Sequence, residues 1–277
     1  MDINQSIDDI RIKAIEEFTI KSITPLFGRV NQKIDQIGTG TFFKMGEKRL
    51  LITANHIFDN IVISDGVYLA KSPENKPNYF ELYRLEKFDL LTPNKELKDL
   101  VDVAIIDFTD YDDIQTLERN WHFLPITQIQ GKTIDKIHGS VIITGYPSER
   151  LSNMLNTSAF ITAYTKLLDS VPKNIFPGAI PYDKRVDLYF EYRQEAISIP
   201  NNNIINTPNA IGMSGCPIWE YVSSKGIWSP EKSLYIIGIQ SSFVHKQYIR
   251  GKSSFAVNEL LDKAFDNNSD SINAINK

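Results

Sequence analysis

The chain has 277 residues, of which 42% are hydrophobic and 11% aromatic, enough for a packed core and against wholesale disorder. Thirty lysines and arginines face 34 acidic residues, for a formal net charge of −4. That balance offers no basic excess to a phosphate backbone, so no nucleic-acid partner is expected.

The first predicted element is a helix. Ile7, Ile10, Ala14 and Phe18 recur at intervals of three and four and form one apolar stripe. Ser6 suits the cap, and Asp8 and Asp9 suit the positive end of the helix dipole. Its polar face mixes both charges, which favours packing on the protein body over lying on a membrane. Residues 1–31 lack the apolar stretch of a signal peptide, and no apolar run approaches the ~18 residues of a membrane span. The expectation is a soluble, cytoplasmic protein with no membrane partner. The single cysteine, Cys216, agrees with a reducing compartment and excludes an intramolecular disulfide.

From Ile23 onward the texture is that of strands. Residues 40–44 and 49–53 flank a turn at 45–47 and read as a hairpin. Residues 67–70, 80–85 and 103–108 continue the first set. A polar stretch over 109–136 separates it from a second set at 141–144, 159–164, 188–192, 217–221 and 234–239. Many short strands with few helices between them predict sandwiches or barrels, not a parallel α/β sheet. A closing helix fits 257–265, followed by a polar, frayed tail.

Three segments carry candidate chemistry. His56 ends the apolar strand Leu51–Ile52–Thr53, and Asp102 opens the apolar run Val103–Ala104–Ile105–Ile106. Each alone is ordinary. Ser214 stands in Gly212–Met213–Ser214–Gly215–Cys216–Pro217, where flanking glycines permit a tight turn with amides facing a ligand. Together they follow the order His, Asp, Ser, which is that of the chymotrypsin-type triad. A serine hydroxyl is a poor nucleophile without an adjacent base. His56 would take its proton, and Asp102 would hold the imidazole tautomer and stabilise its cation.

On these residues the sequence resembles the trypsin-like (chymotrypsin-fold) serine peptidases over roughly 23–265. Gly38–Thr39–Gly40–Thr41–Phe42 resembles the glycine-bearing first strand of that family. Thr53–Ala54–Asn55–His56 resembles its Thr-Ala-Ala-His motif with Asn55 in place of alanine. Asp102–Val103–Ala104 is similar to its aspartate motif, and Gly212 to Pro217 matches Gly-x-Ser-Gly-x-Pro. Ile237–Gly238–Ile239 resembles the strand that lines the cleft. Gly145–Tyr146–Pro147, with no disulfide, looks more like the bacterial intracellular branch, whose members often sit in regulatory or defence modules.

The resemblance implies an all-β fold of two antiparallel barrels with a short helix at either end. The expected organisation is a helical segment at 1–22, a barrel at 23–118, a linker at 119–136, a second barrel with closing helix at 137–266, and a tail at 267–277. It implies an oxyanion hole from the backbone N–H groups of Gly212 and Ser214, with no Cβ tolerated at Gly212. Pro208 falls at the base of the primary pocket and Ser241, Ser242 and Phe243 along its wall, with Arg250 to Lys252 near its back. An uncharged base excludes basic side chains, so cleavage after small or uncharged residues is expected, with acidic ones as the lesser option.

Two positions depart from the family. Met213 replaces the aspartate that pairs with a newly cut N-terminus in the secreted enzymes. Activity should then not require such a cut, and control would fall to the N-terminal helix, a regulatory partner protein or substrate-induced ordering. Cys216 replaces glycine and reads as a packed structural thiol before a redox switch.

Other residues carry less. His122, His138 and His245 lack metal-ligand spacing, and no metal site is expected. Asp107, Asp110, Asp112 and Asp113 read as a solvated loop, and Trp121, Trp219 and Trp228 as core or interface. The sequence therefore reads first as a serine endopeptidase acting on a protein or peptide substrate without a cofactor. The alternatives are a catalytically silent partner-binding protein of the same fold and an esterase built on the same machinery.

Overall fold

The computed structural model describes residues 3–59, 61–62, 65–73, 81–85, 87–94, 98–131, 137, 140–152, 160–168, 183–198, 203–223 and 227–265. Two antiparallel sheets dominate them. The first holds β1 (Ile23–Val30), β2 (Lys33–Met45), β3 (Lys48–Thr53), β4 (Val67–Ala70), β5 (Leu82–Leu85), β6 (Asp89–Leu91) and β7 (Ala104–Asp107). Their order is β5-β4-β1-β2-β3-β7-β6, and the short β8 (Leu124–Pro125) adds to β2 in parallel. The turn from β1 to β2 is the two-residue kind that needs left-handed backbone at both positions, and Asn31 and Gln32 supply it with φ of 49° and 66°.

The second sheet holds β9 (Ser140–Gly145), β10 (Ile161–Thr165), β11 (Asp187–Glu191), β14 (Pro217–Tyr221), β15 (Leu234–Val244) and β16 (Tyr248–Ser253). Its order is β10-β9-β14-β15-β16-β11. A separate two-stranded ladder, β12 (Glu195–Ser198) with β13 (Asn203–Asn206), stands exposed. The helices are α1 (Ile3–Lys21), α2 (Lys98–Val101), α3 (Ile114–Asn120), α4 (Ser148–Ser152), α5 (Pro230–Ser233) and α6 (Ser254–Phe265).

Successive residues of a strand point to opposite faces. Phe42 packs inside the first sheet with Leu51, Ile106, Phe108 and Trp121. Its neighbour Phe43 faces the other way, into a core shared by both sheets, α1 and α6, with Ile52, Ile105, Trp219, Ile236 and Leu260. The interior of the second sheet is lined by Ile143, Phe190, Met213, Ile218 and Ile249. Burial on both faces is why 50–52 and 103–106 are unbroken apolar runs and not alternating ones.

Two expectations need correction. Ile10 does not belong to the docked stripe of α1, since it is 65% exposed. The helix meets the body through its C-terminal turns, with Ile15, Phe18, Thr19 and Ile20 buried and Phe18 against the Trp219 ring. The side chains of Ser6, Ile7 and Asp8 lie outside the described residues, as does His138. Asp107 is not part of a solvated loop. It ends β7 opposite Leu50, is buried, and binds Lys48 Nζ at 2.7 Å and the Thr109 amide at 3.1 Å. Trp228 is partly buried against the shared core, while Trp121 and Trp219 are buried.

Candidate active site

His56 sits just past the end of β3, in the 3₁₀ turn Asn55–Phe58. β3 pairs with β7, Thr53 opposite Ala104, which brings the residue before β7 beside it. That residue region holds Asp102, whose left-handed φ of 43° ends α2 and turns the carboxylate back toward His56; aspartate is among the few side chains that tolerate this conformation. The Asn55 amide donates to the Asp102 carbonyl at 3.3 Å and the His56 amide to Asp102 Oδ1 at 2.9 Å. His56 Nδ1 lies 3.1 and 3.0 Å from the two carboxylate oxygens. Ser241 Oγ, from β15, donates to Oδ2. Burial pushes the Asp102 pKa up, but the hydrogen bonds and charge of His56 and the Ser241 hydroxyl outweigh it and hold the carboxyl below its ordinary value.

Ser214 approaches from the other sheet. Its Oγ is 3.1 Å from His56 Nε2, so with the proton on Nδ1 the imidazole accepts from the serine hydroxyl. The loop that carries it is built on left-handed glycines, Gly212 at φ 88° and Gly215 at φ 92°. A Cβ on Gly215 would stand 2.1 Å from Thr53 Oγ1 and 2.2 Å from the Thr39 carbonyl. One on Gly212 would stand 2.3 Å from Ser148 Oγ.

The first sheet holds this loop directly. The Thr39 amide donates to the Ser214 carbonyl at 2.8 Å, and Gly38 leaves room for that carbonyl, since a Cβ there would lie 2.8 Å from it. Thr39 Oγ1 and Gln36 Nε2 donate to the Gly212 carbonyl at 2.9 and 3.0 Å. Gln36 Nε2 also reaches the Tyr146 carbonyl at 2.7 Å. The Ser148 amide donates to the Ile211 carbonyl at 2.8 Å. The Gly38–Thr39–Gly40 and Gly145–Tyr146–Pro147 segments therefore serve the serine loop, which their sequence alone does not reveal.

The residues assigned to a substrate pocket are placed as follows. The Pro208 carbonyl accepts from Tyr192 Oη at 2.7 Å. Phe243 packs partly buried on the apolar cluster that contains Ala210, Met213 and Ile249. Ser242 lies opposite Arg250 in the β15–β16 pair. Ser241 has its hydroxyl on Asp102, a contact that strand patterning cannot anticipate because it crosses between sheets. Arg250 and Lys252 are buried on Asp187. Met213 is fully buried in apolar surroundings and holds no cation. Burial pushes the Cys216 thiol pKa up, which keeps it protonated. His122 and His245 are exposed, and no group of three or more potential metal ligands occurs among the described residues. No helix among them is long and apolar enough to cross a membrane.

No protein-family model matches the sequence, and no curated protein matches it. Among solved structures the chain is similar to the VesB protease of Vibrio cholerae, with a TM-score of 0.52 and 16% identity over 90% of this chain. The match spans 64% of the VesB chain's length. With two curled antiparallel sheets and a helix near each end, the chain has the trypsin-like, chymotrypsin-type fold.

Proposed function

We propose that the protein is a serine endopeptidase that hydrolyses peptide bonds through an acyl-enzyme formed on Ser214. The observation that carries this reading is the unbroken hydrogen-bonded chain from Ser214 Oγ through His56 to Asp102, with Ser241 closing its far end. Ser214 Oγ attacks the scissile carbonyl while His56 Nε2 takes its proton. The imidazolium is stabilised by Asp102 and then protonates the departing amine. Water, deprotonated by His56, attacks the acyl group and releases Ser214.

The carbonyl oxygen gains negative charge in both steps. The amides of Gly212 and Ser214 are the proposed donors to it, each worth roughly 3–4 kcal/mol in the transition state. The peptide groups that carry these amides are held through their carbonyls, that of Ile211 by the Ser148 amide at 2.8 Å and that of Met213 by the Cys216 amide at 2.9 Å. No cofactor enters the scheme. Pro208, Ser242 and Phe243 are the proposed substrate contacts, and Phe243, partly buried against the apolar cluster of the second sheet, supports a shallow, uncharged primary site.

A mixed peptide library incubated with the purified protein tests the reading. Cleavage should follow small or uncharged residues and vanish in Ser214→Ala. Turnover of simple esters without any peptide cleavage would favour an esterase. Binding without turnover of either would favour the silent alternative. A dominant preference for lysine or arginine would refute the pocket assignment.

A further inference from the structure

Gln240 on β15 is fully buried, yet among the described residues neither Oε1 nor Nε2 of its carboxamide has a hydrogen-bond partner. The backbone does not explain why a glutamine stands there. The Gln240 amide donates to the Cys216 carbonyl and its carbonyl accepts from the Gly215 amide, both at 2.8 Å, and any residue but proline could make those bonds. A primary amide carries two donors and an acceptor oxygen. Burying it with none of them met is costly, and leucine or methionine would fill similar space without that cost.

Register shows where the side chain points. Gln240 lies opposite Gly251 and Phe243 opposite Ile249, with a register shift at Ser241 between them. Residues directly opposite in an antiparallel pair share a face. Ile249 belongs to the apolar interior of the second sheet, and a Cβ on Gly251 would stand 2.2 Å from Ile218 Cδ1 in that same interior. Gln240 and Phe243 therefore face one interior, while the shift lets Ser241 turn away to Asp102. Ala210, Met213 and Cys216, on the segment that carries Ser214, belong to this interior, and Phe243 packs partly buried against it.

We propose that Gln240 is a specificity residue of the site, whose carboxamide pairs with the side-chain carboxamide of a substrate glutamine or asparagine immediately before the scissile bond. This rests on the peptidase reading above and names the substrate class of the same site.

The chemistry of the surroundings selects that partner. Two primary amides meet each other through two N–H···O bonds at once, each supplying the donor and the acceptor that the other needs. A lysine, arginine or carboxylate would bring a net charge into a neutral apolar interior. Tyr192 Oη is engaged on the Pro208 carbonyl and the Cys216 thiol stays protonated, so neither offsets it. An aliphatic side chain would leave the Gln240 amide buried and unmet. A site that hydrogen-bonds a substrate group discriminates strongly against the analogue that lacks it.

The test compares the peptides acetyl-Ala-Ala-X-Ala-Ala-amide, with glutamine, asparagine, leucine or methionine at X, on the full chain and on Gln240→Leu. Wild type should cleave after glutamine or asparagine with a kcat/KM about 10- to 100-fold above that for leucine or methionine, and Gln240→Leu should reverse the order. Cleavage with a wild-type preference for leucine or methionine, or with a carboxamide preference that survives in Gln240→Leu, overturns the proposal and leaves the peptidase reading standing. If Gln240→Leu does not fold, Gln240→Met takes its place; failure of both assigns the side chain to the fold and overturns the proposal. If the wild type cleaves none of the peptides, calorimetric binding of the same series decides. Tighter binding of the glutamine or asparagine peptide, lost in Gln240→Leu, supports the pairing and defeats the peptidase reading. Equal binding of the series, or none, overturns the pairing.

Discussion

The two sheets hold their parts of the site by different means. The first delivers His56 and Asp102 just beyond the ends of the paired strands β3 and β7, where the register brings them together and the Asn55 and His56 amides bind Asp102. The second delivers Ser214 on a loop with no ladder of its own, shaped by Gly212 and Gly215 and tethered to the first sheet by Thr39 and Gln36. A site half made from strand ends should tolerate change on the strand side better than on the loop side. The loop has no alternative hydrogen-bonding pattern to fall back on.

Gly215→Ala should show this most strongly. Its left-handed φ and the 2.1 Å approach to Thr53 Oγ1 leave no room for a methyl group. We expect a loss of about 2–4 kcal/mol by chemical denaturation, with serine reactivity gone. Asp102→Asn probes the strand side: geometry should survive while turnover falls by about 10⁴-fold, read by steady-state kinetics.

The same pair gives a pH dependence. The folded pKa of Asp102 is depressed, so its contribution to stability is present above the unfolded value of about 3.9 and is lost as pH falls through the folded value. The stability advantage of wild type over Asp102→Asn should accordingly shrink below pH ~4 in acid denaturation curves. Gln36→Ala cuts the tether between the sheets and should cost about 1–2 kcal/mol, with a roughly tenfold slower reaction at Ser214. Cys216→Ala should be the mildest, within a few-fold of wild-type activity. Native Cys216, buried and protonated, should resist alkylation by iodoacetamide until the protein unfolds.

Much of this architecture was legible from residue order. The paired apolar runs gave away the all-β, two-sheet fold, and Gly-x-Ser-Gly with an upstream His and Asp pointed to one seam between the sheets. What was hidden depends on contacts that link distant residues. Ser241 reads as a serine of the pocket wall until the first sheet supplies Asp102. Arg250 and Lys252 read as charges near the back of a substrate pocket, because nothing in the sequence around them or around Asp187 shows that the three will bury one another. The apolar stripe of α1 suggested docking along its length, yet Ile10 is exposed, since periodicity says which residues share a face and not how much of the face is covered. The exposed β12–β13 ladder mixes polar residues and isoleucines and has no buried face to leave a signal in its sequence.

The central claim is that Ser214 is a nucleophile activated by His56 and Asp102. Incubating the protein with a fluorophosphonate and mapping the adduct by peptide mass spectrometry tests it most directly. The account predicts one phosphonyl group on Ser214, a labelling rate that rises with pH as His56 loses its proton, and no adduct in Ser214→Ala or His56→Ala. An adduct of undiminished yield in Ser214→Ala, or a well-folded wild type that takes up none, would contradict it.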